Sequence, residues 1–293
     1  MDDAAFDAAL AEIAADRRSG AGALARRCLE VLAASAEGEF ASDASVLRAR
    51  AQRLAAARPT MAPPGNLIGR WLAVLDWLDP DDPRKAAEEA RRIARESDAA
   101  TGRAAGNATA HLRGILAGAA RPRVLTLSWS SVVAQALAGL AGGGAEIWVA
   151  ESRPLNEGAR LAEVLAGKGL AVTLITDAQI AWAAREATVG ICGADALFAD
   201  GTMVNKAGTA LMALALMDAG RPLVAACECF KLASGDAADW RFEEMDAGEL
   251  GYGEDAPFAV RNVYFEAVAP RLIDAWITEN GVARAPEDLP GIL

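Results

Sequence analysis

The chain has 293 residues, 53% of them hydrophobic, and carries 29 basic against 40 acidic side chains for a net charge of −11. Such a balance argues against a nucleic-acid backbone or an anionic membrane as the main partner, because the long-range field repels both. It leaves room for a small anionic ligand in a local basic pocket, and the length allows one large or two smaller domains.

Up to about residue 118 the sequence reads as helix. "FDAALAEIAADRR", "GALARRCLEVLAASA", "ASVLRARAQRLAAA", "NLIGRWLAVLDWL" and "DPRKAAEEARRIARESDAATGRAAGNATAHL" place apolar residues at helical spacing. Clusters of Gly, Pro and Asp, such as "ARPTMAPPGN" and "LDPDDPR", separate them. The N-terminus, "MDDAAFDAAL", is acidic and amphipathic, which is not a signal-peptide pattern. No apolar run approaches the roughly 20 residues needed to span a bilayer, so a cytoplasmic protein is expected.

After residue 118 the pattern changes. "RVLTLSW", "AEIWVAES", "LAVTLIT", "TVGICGA" and "RPLVAAC" are short apolar runs bounded by turn residues, and helical segments alternate with them. Continuous apolarity means strands buried on both faces, hence a parallel sheet. The expected fold is α/β: an all-helical N-terminal domain over 1–118, then a Rossmann-like parallel-sheet domain over 119–293. No G-x-G-x-x-G follows the first strand, so a dinucleotide cofactor is not indicated.

Ligands of open parallel sheets bind beyond the carboxyl ends of the strands. Those ends carry Ser128, Trp129, Ser130 and Ser131, then Glu151, Ser152 and Arg153, then Asp177, Asp195, and finally Cys227, Glu228, Cys229 and Lys231. Asp195 ends an apolar strand, where partial desolvation would raise its pKa toward a proton-transfer role; capping of a turn is the alternative. Asp200-Gly201 signals a tight hairpin turn. Asn205 and Lys206 stand just ahead of the helical stretch "AGTALMALALM", and a helix N-terminus with an adjacent ammonium favours an anion. In the helical half, Arg17, Arg18, Ser19 and Gly20 precede a helix start, and Arg58 sits on a Pro-stiffened loop. Both are anion cradles or solvated basic patches.

Other residues have structural roles. The sole histidine, His111, lies in a helical stretch, so no Ser-His-Asp arrangement forms except through it. Cys28, Cys192, Cys227 and Cys229 lack metal-type spacing and read as reduced thiols. Trp71, Trp77, Trp148, Trp182 and Trp276 read as core or interface, whereas Trp129 at a strand end can wall a pocket.

Together "GADALFADGTMVNKAGT", "VAESRPLNEGARLAEVL", "ARPTMAP", "SGAGALARR" and the closing "RNVYFEAVAPRLIDAWITENGV" resemble the family of translation initiation factor 2B α/β/δ subunits, methylthioribose-1-phosphate isomerase and archaeal ribose-1,5-bisphosphate isomerase. The resemblance runs over nearly the whole chain. "CECFKL", with Glu228 and Lys231, is most similar to the ribose-1,5-bisphosphate isomerase branch. The resemblance implies interconversion of aldose and ketose phosphates by a Cys–Asp pair, without metal or cofactor. Asp195 matches the Asp. By the same resemblance, Asn205 and Lys206 contact the sugar, and the segments around Arg17–Gly22, Arg58 and Lys231 hold phosphates or hydroxyls. The expected "LTHCNSS" segment is here "LTLSWSS", putting Ser128 at the Cys position, Leu127 at the His and Trp129 at the Asn. A serine hydroxyl is far less acidic than a thiol, and "SWSSVV" leans toward the non-catalytic initiation-factor α subunits. Three readings follow: a phosphorylated-pentose isomerase with Ser128 replacing the thiol, a non-catalytic regulatory module that binds a sugar phosphate or nucleotide, or, by the family name only, a translation-factor subunit acting on a guanine-nucleotide exchange complex. A homodimer is expected, with "LIDAWITENGV" serving its interface.

Overall fold

The computed structural model describes every residue except 17, 18, 39–42, 59, 60, 76, 78–83, 241, 243 and 253–255. The chain forms two compact units, Met1–Ala100 and Thr101–Leu293. The first holds α1 (Asp3–Ala15), α2 (Ala21–Ala36), α3 (Ala44–Ala56), α4 (Ala62–Leu75) and the start of α5 (Arg84–Leu116). The change of pattern at residue 118 marks where helices give way to strands. The packing divides the chain earlier, because Ala104, Ala105, Ala108 and Leu112 of α5 are buried with the sheet residues.

The second unit is a three-layer α/β structure. Its strands β1 (Arg123–Leu127), β2 (Glu146–Ala150), β3 (Ala171–Ile175) and β4 (Val189–Cys192) alternate with helices α6 (Ser131–Ala138), α7 (Glu157–Gly167) and α8 (Ile180–Glu186). A small antiparallel sheet follows from β5 (Ala196–Leu197), β6 (Met203–Lys206) and, later in the chain, β8 (Phe265–Val268). Helix α9 (Thr209–Asp218) leads to β7 (Leu223–Ala226), and β9 (Ala275–Thr278) and β10 (Gly281–Ala283) close the chain. The large sheet has the order β10-β9-β7-β4-β1-β2-β3. Its pairings are parallel except for β9 with β10.

Alternation explains the continuous apolarity of the strands. Leu125, Leu127, Trp148 and Ala150 pack on one face with Ile180, Ala183, Met212 and Leu216 of α8 and α9. Val124, Ile147 and Val149 pack on the other with residues of α5, α6 and α7, such as Ala108, Val133 and Leu161. Each fully buried Leu, Ile or Val contributes about 1.5–3 kcal/mol, so these two layers carry the fold.

Strands β5, β6, β8, β9 and β10 go beyond the five expected. The stretch "LIDAWITENGV" is not the free interface expected of it, because Ala275–Thr278 are all buried inside the chain's own sheet. Trp276 fixes it by donating from Nε1 to the Gly201 carbonyl at 3.0 Å. The Asp200-Gly201 turn is present, with Ala196 opposite Val204 and Gly201 at φ +86°. Trp71, Trp148 and Trp276 are buried, while Trp77 and Trp182 are exposed, the latter stacked on Trp148. No helix among the described residues is long and apolar enough to cross a membrane.

Candidate functional site

The carboxyl ends of β1 to β3 are tied by one hydrogen-bond chain. Ser128 follows β1 directly and Ser152 lies two residues past the end of β2, with φ of 60° and 61°, which for non-glycine residues costs on the order of 1–3 kcal/mol each. Ser152 Oγ accepts the Ser128 N–H at 2.7 Å. Asp177, after β3, accepts the N–H groups of Ser152 and Arg153 on its two oxygens, each at 2.8 Å. Asp177 is therefore scaffold: its two acceptors hold the strained turn that presents Ser128. On the other side of β1, Gly193 lets the loop after β4 approach closely. A Cβ there would lie 2.6 Å from Ser130 Cβ and Oγ. The Ser128–Ser130 and Gly193–Asp195 segments are thus in contact, as adjacent strand ends require.

Next to them lies a buried ionic cluster. Lys231 and Glu228, at 7% and 2% exposure, leave β7 on a 3-10 turn with Nζ 3.6 Å from Oε2. Thr101 Oγ1 donates to the other oxygen, Oε1, at 2.6 Å. Burial opposes the charge on Lys231, yet the Glu228 carboxylate, followed by Asp195 and Cys227, holds its pKa above the ordinary lysine value. Asp195 is half-buried, and its backbone N–H donates to the Val204 carbonyl at 2.8 Å. The Cys227 thiol is pushed up to about 12 by burial, so it stays protonated.

A second pair stands on β6. Lys206 Nζ meets Glu157 Oε1 at 2.8 Å and lies 3.9 Å from the Tyr264 ring centre. Glu157 begins α7, which abuts the end of β2: a Cβ on Gly158 would fall 1.9 Å from the Ala150 carbonyl oxygen. Asn205 donates to Thr209 Oγ1 at 2.9 Å. These two residues, expected just ahead of α9, lie on β6, and Gly208 is the cap of α9. The N-terminus of α9 is already satisfied, because Glu266 Oε1 accepts the N–H groups of Gly208 and Ala210 at 2.7 and 2.8 Å. Glu266→Ala is accordingly expected to cost about 1–2 kcal/mol in a denaturant titration, with Glu266→Gln recovering much of it.

Two carboxylate oxygens of these pairs are buried without a hydrogen bond: Glu157 Oε2, and Glu228 Oε2, which faces Lys231 Nζ at 3.6 Å. Such orphaned acceptors suit a ligand that donates hydroxyl protons.

Trp129 is half-buried beneath the Arg160 guanidinium, 4.2 Å from the ring centre. Ser130 caps α6 by accepting the Val133 N–H at 3.4 Å. Glu151 is half-buried at the end of β2, and Arg153 is exposed, donating to the Leu250 carbonyl at 3.3 Å. In the helical unit, Ser19 and Arg58 meet at Asp16. The Ser19 N–H donates to Asp16 Oδ1 at 2.9 Å, and the buried Arg58 donates to the Asp16 carbonyl. Gly20 caps α2 without a side-chain acceptor, and Arg17 lies outside the described residues. Glu157, Tyr264, Thr101 and Glu266 were not singled out from sequence. Each meets its partner across 49 or more residues, where no local spacing signals the contact.

The initiation factor 2 subunit family model matches residues 17–285. A translation initiation factor eIF-2B subunit 2-like protein of Pyrococcus abyssi is 35% identical over 49% of this chain and 50% of its own length. A methylthioribose-1-phosphate isomerase of Pelotomaculum thermopropionicum is 31% identical over 87% of this chain and 74% of its own. A ribose 1,5-bisphosphate isomerase of Methanocaldococcus jannaschii is 33% identical over 47% of this chain and 46% of its own. The chain spans 50% to 59% of the eIF-2B-like relatives it matches. The crystal structure of Pyrococcus horikoshii OT3 translation initiation factor eIF-2B superimposes with a TM-score of 0.82, at 27% identity, over 98% of this chain and 99% of that one. With its helical region, mostly parallel seven-stranded sheet and matching sequence, the chain belongs to the initiation factor 2 subunit family.

Proposed function

We propose that the carboxyl edge of the sheet binds a phosphorylated pentose and carries an aldose–ketose isomerisation of the ribose 1,5-bisphosphate or methylthioribose 1-phosphate kind. The observation behind this reading is the pair of buried lysines, Lys206 and Lys231, each matched to a glutamate with one unbonded oxygen. That set recognises hydroxyls: the ammonium groups donate, and Glu157 Oε2 accepts, with Glu228 Oε2 beside Lys231 as a second acceptor. Asp195, beside Lys231, shuttles the proton between C2 and C1, and Ser128 takes the place of the thiol. Asn205, Trp129 and Ser130 line the sugar, and Glu151 and Arg153 border it. In the same reading the protein works as a cytoplasmic homodimer without metal or cofactor.

A second reading is supported by Ser128 itself. A serine needs a base to lend it acidity, and the only histidine, His111, lies beside Pro222 and Asp274, which precede β7 and β9 at the far end of the strands. In that reading the edge binds a sugar phosphate or nucleotide without turnover, as a regulatory subunit.

Phosphorus NMR of the protein with ribose 1,5-bisphosphate, and with 5-methylthioribose 1-phosphate and nucleoside monophosphates as comparators, separates the two. Ketose-phosphate resonances that vanish in Asp195→Asn support the isomerase. Broadening without new resonances supports the binding module, and a silent spectrum for every ligand removes both.

A further inference from the structure

The amino edge of the sheet, opposite the carboxyl-edge site, carries a cavity of about 690 Å³ whose lining includes His111, Pro222, Asp274 and Arg284. A smaller neighbour of about 330 Å³ shares Pro222 and Asp274 and adds Arg221 and Arg271. Three arginines and the sole histidine thus gather from α5, the approach to β7, the approach to β9 and the end of β10.

Their charges are unbalanced. The only carboxylate lining either cavity, Asp274, spends Oδ2 on the Leu223 N–H at 2.8 Å. The guanidinium groups of Arg221, Arg271 and Arg284 are exposed and make no hydrogen bond or ion pair among the described residues. Elsewhere arginines such as Arg91, Arg92 and Arg123 are paired with glutamates, in a chain that has 40 acidic side chains to offer. His111 likewise has no hydrogen-bond partner there, and burial first, then the Arg284 guanidinium, pull its pKa below the usual histidine value. An anion between Arg284 and His111 would convert this repulsion into two attractions.

We propose that this amino-edge cavity is a phosphate site, held by Arg284 and His111 and flanked by Arg221 and Arg271, separate from the sugar site at the carboxyl edge. Its ligand is inorganic phosphate or the phosphate of a small phosphomonoester. Binding is coupled to protonation of His111, so it strengthens as pH falls through the histidine range. The charged groups that line the cavity with His111 are Arg284 and Asp274 alone, which keeps the coupling simple.

Because His111 is the only histidine in this chain, its imidazole resonances can be followed by NMR without assignment ambiguity. In chloride at matched ionic strength its pKa is expected below 6.5. Millimolar inorganic phosphate should raise it by about one unit or more, as an anion within 4–6 Å does. One unit corresponds to phosphate binding the protonated form about tenfold more tightly. Arg284→Gln should bring the phosphate-free pKa back toward 6.5 and abolish the response, and Lys206→Ala, at the carboxyl edge, should keep it. An unchanged pKa in phosphate relative to chloride overturns the proposal, as does a full response in Arg284→Gln. Loss of the response in Lys206→Ala would place the phosphate at the carboxyl edge and overturn it as well. Restoration of the pKa in Arg284→Gln with phosphate ineffective in the wild type would show mere repulsion and no site.

Discussion

Lys231→Met is expected to lower the unfolding free energy by about 3–5 kcal/mol, among the largest effects of any single substitution in the second unit. The loss comes from Glu228, which is 2% exposed and would remain as a buried carboxylate with only the Thr101 hydroxyl as donor. Adding Glu228→Gln to Lys231→Met should recover a large part of that cost, because a neutral buried pair carries no uncompensated charge. Urea denaturation of the wild type, the single and the double variant checks both statements, and equal stability of all three would remove the ionic account. The sign of the pH dependence follows from the raised pKa of Lys231. A group whose folded pKa exceeds its unfolded value stabilises fully below the ordinary 10.5 and loses that contribution as pH rises through the folded value. The stability gap between wild type and Lys231→Met should therefore be widest near neutral pH and narrow in strongly alkaline solution.

Asp195→Asn is expected to lower turnover of a responsive phosphopentose by about 10²–10⁴-fold, the usual contribution of a positioned acid–base group. Asn keeps the shape and can still bond to ligand oxygens, so affinity should change by far less than rate. Ser128→Cys is the companion variant. It restores a group that can exchange a proton near neutral pH at the same strained position after β1, and turnover should rise. Isothermal titration for affinity alongside a ketose assay for rate separates the effects. If Asp195→Asn weakened binding as much as turnover, Asp195 would be a ligand-holding residue and not the proton carrier. If neither the wild type nor Ser128→Cys turned over any phosphopentose, the binding-module reading would stand in its place.

The sequence alone shows the class of fold because its signal is local. Runs such as "TVGIC" and "RPLVAA" are short, apolar throughout and bounded by turn residues, and strands buried on both faces need that composition. The strand ends of a parallel sheet lie together by topology, so Ser128, Asp195, Glu228 and Lys231 could be named from their positions in the chain. The weaker elements were not legible. Strands β5 and β10 have two and three residues, too few for any period to show, and β9 hid inside a stretch that reads equally well as an exposed apolar surface.

Chemistry at long range was decided by tertiary structure. Lys206 looked like an ammonium at the mouth of a helix, and its residue type and position justified that. The fold gave that helix mouth to Glu266 from β8 and gave Lys206 to Glu157 and Tyr264. The same holds for Glu228, whose partner Thr101 is 127 residues away, and for the arginines around Asp274, which come from segments that nothing in their local sequence relates. Propensity, periodicity and turn chemistry act over a few residues and so are written in the chain. Which charge meets which carboxylate depends on burial and on the ends of neighbouring strands, and these exist only after the sheet has closed.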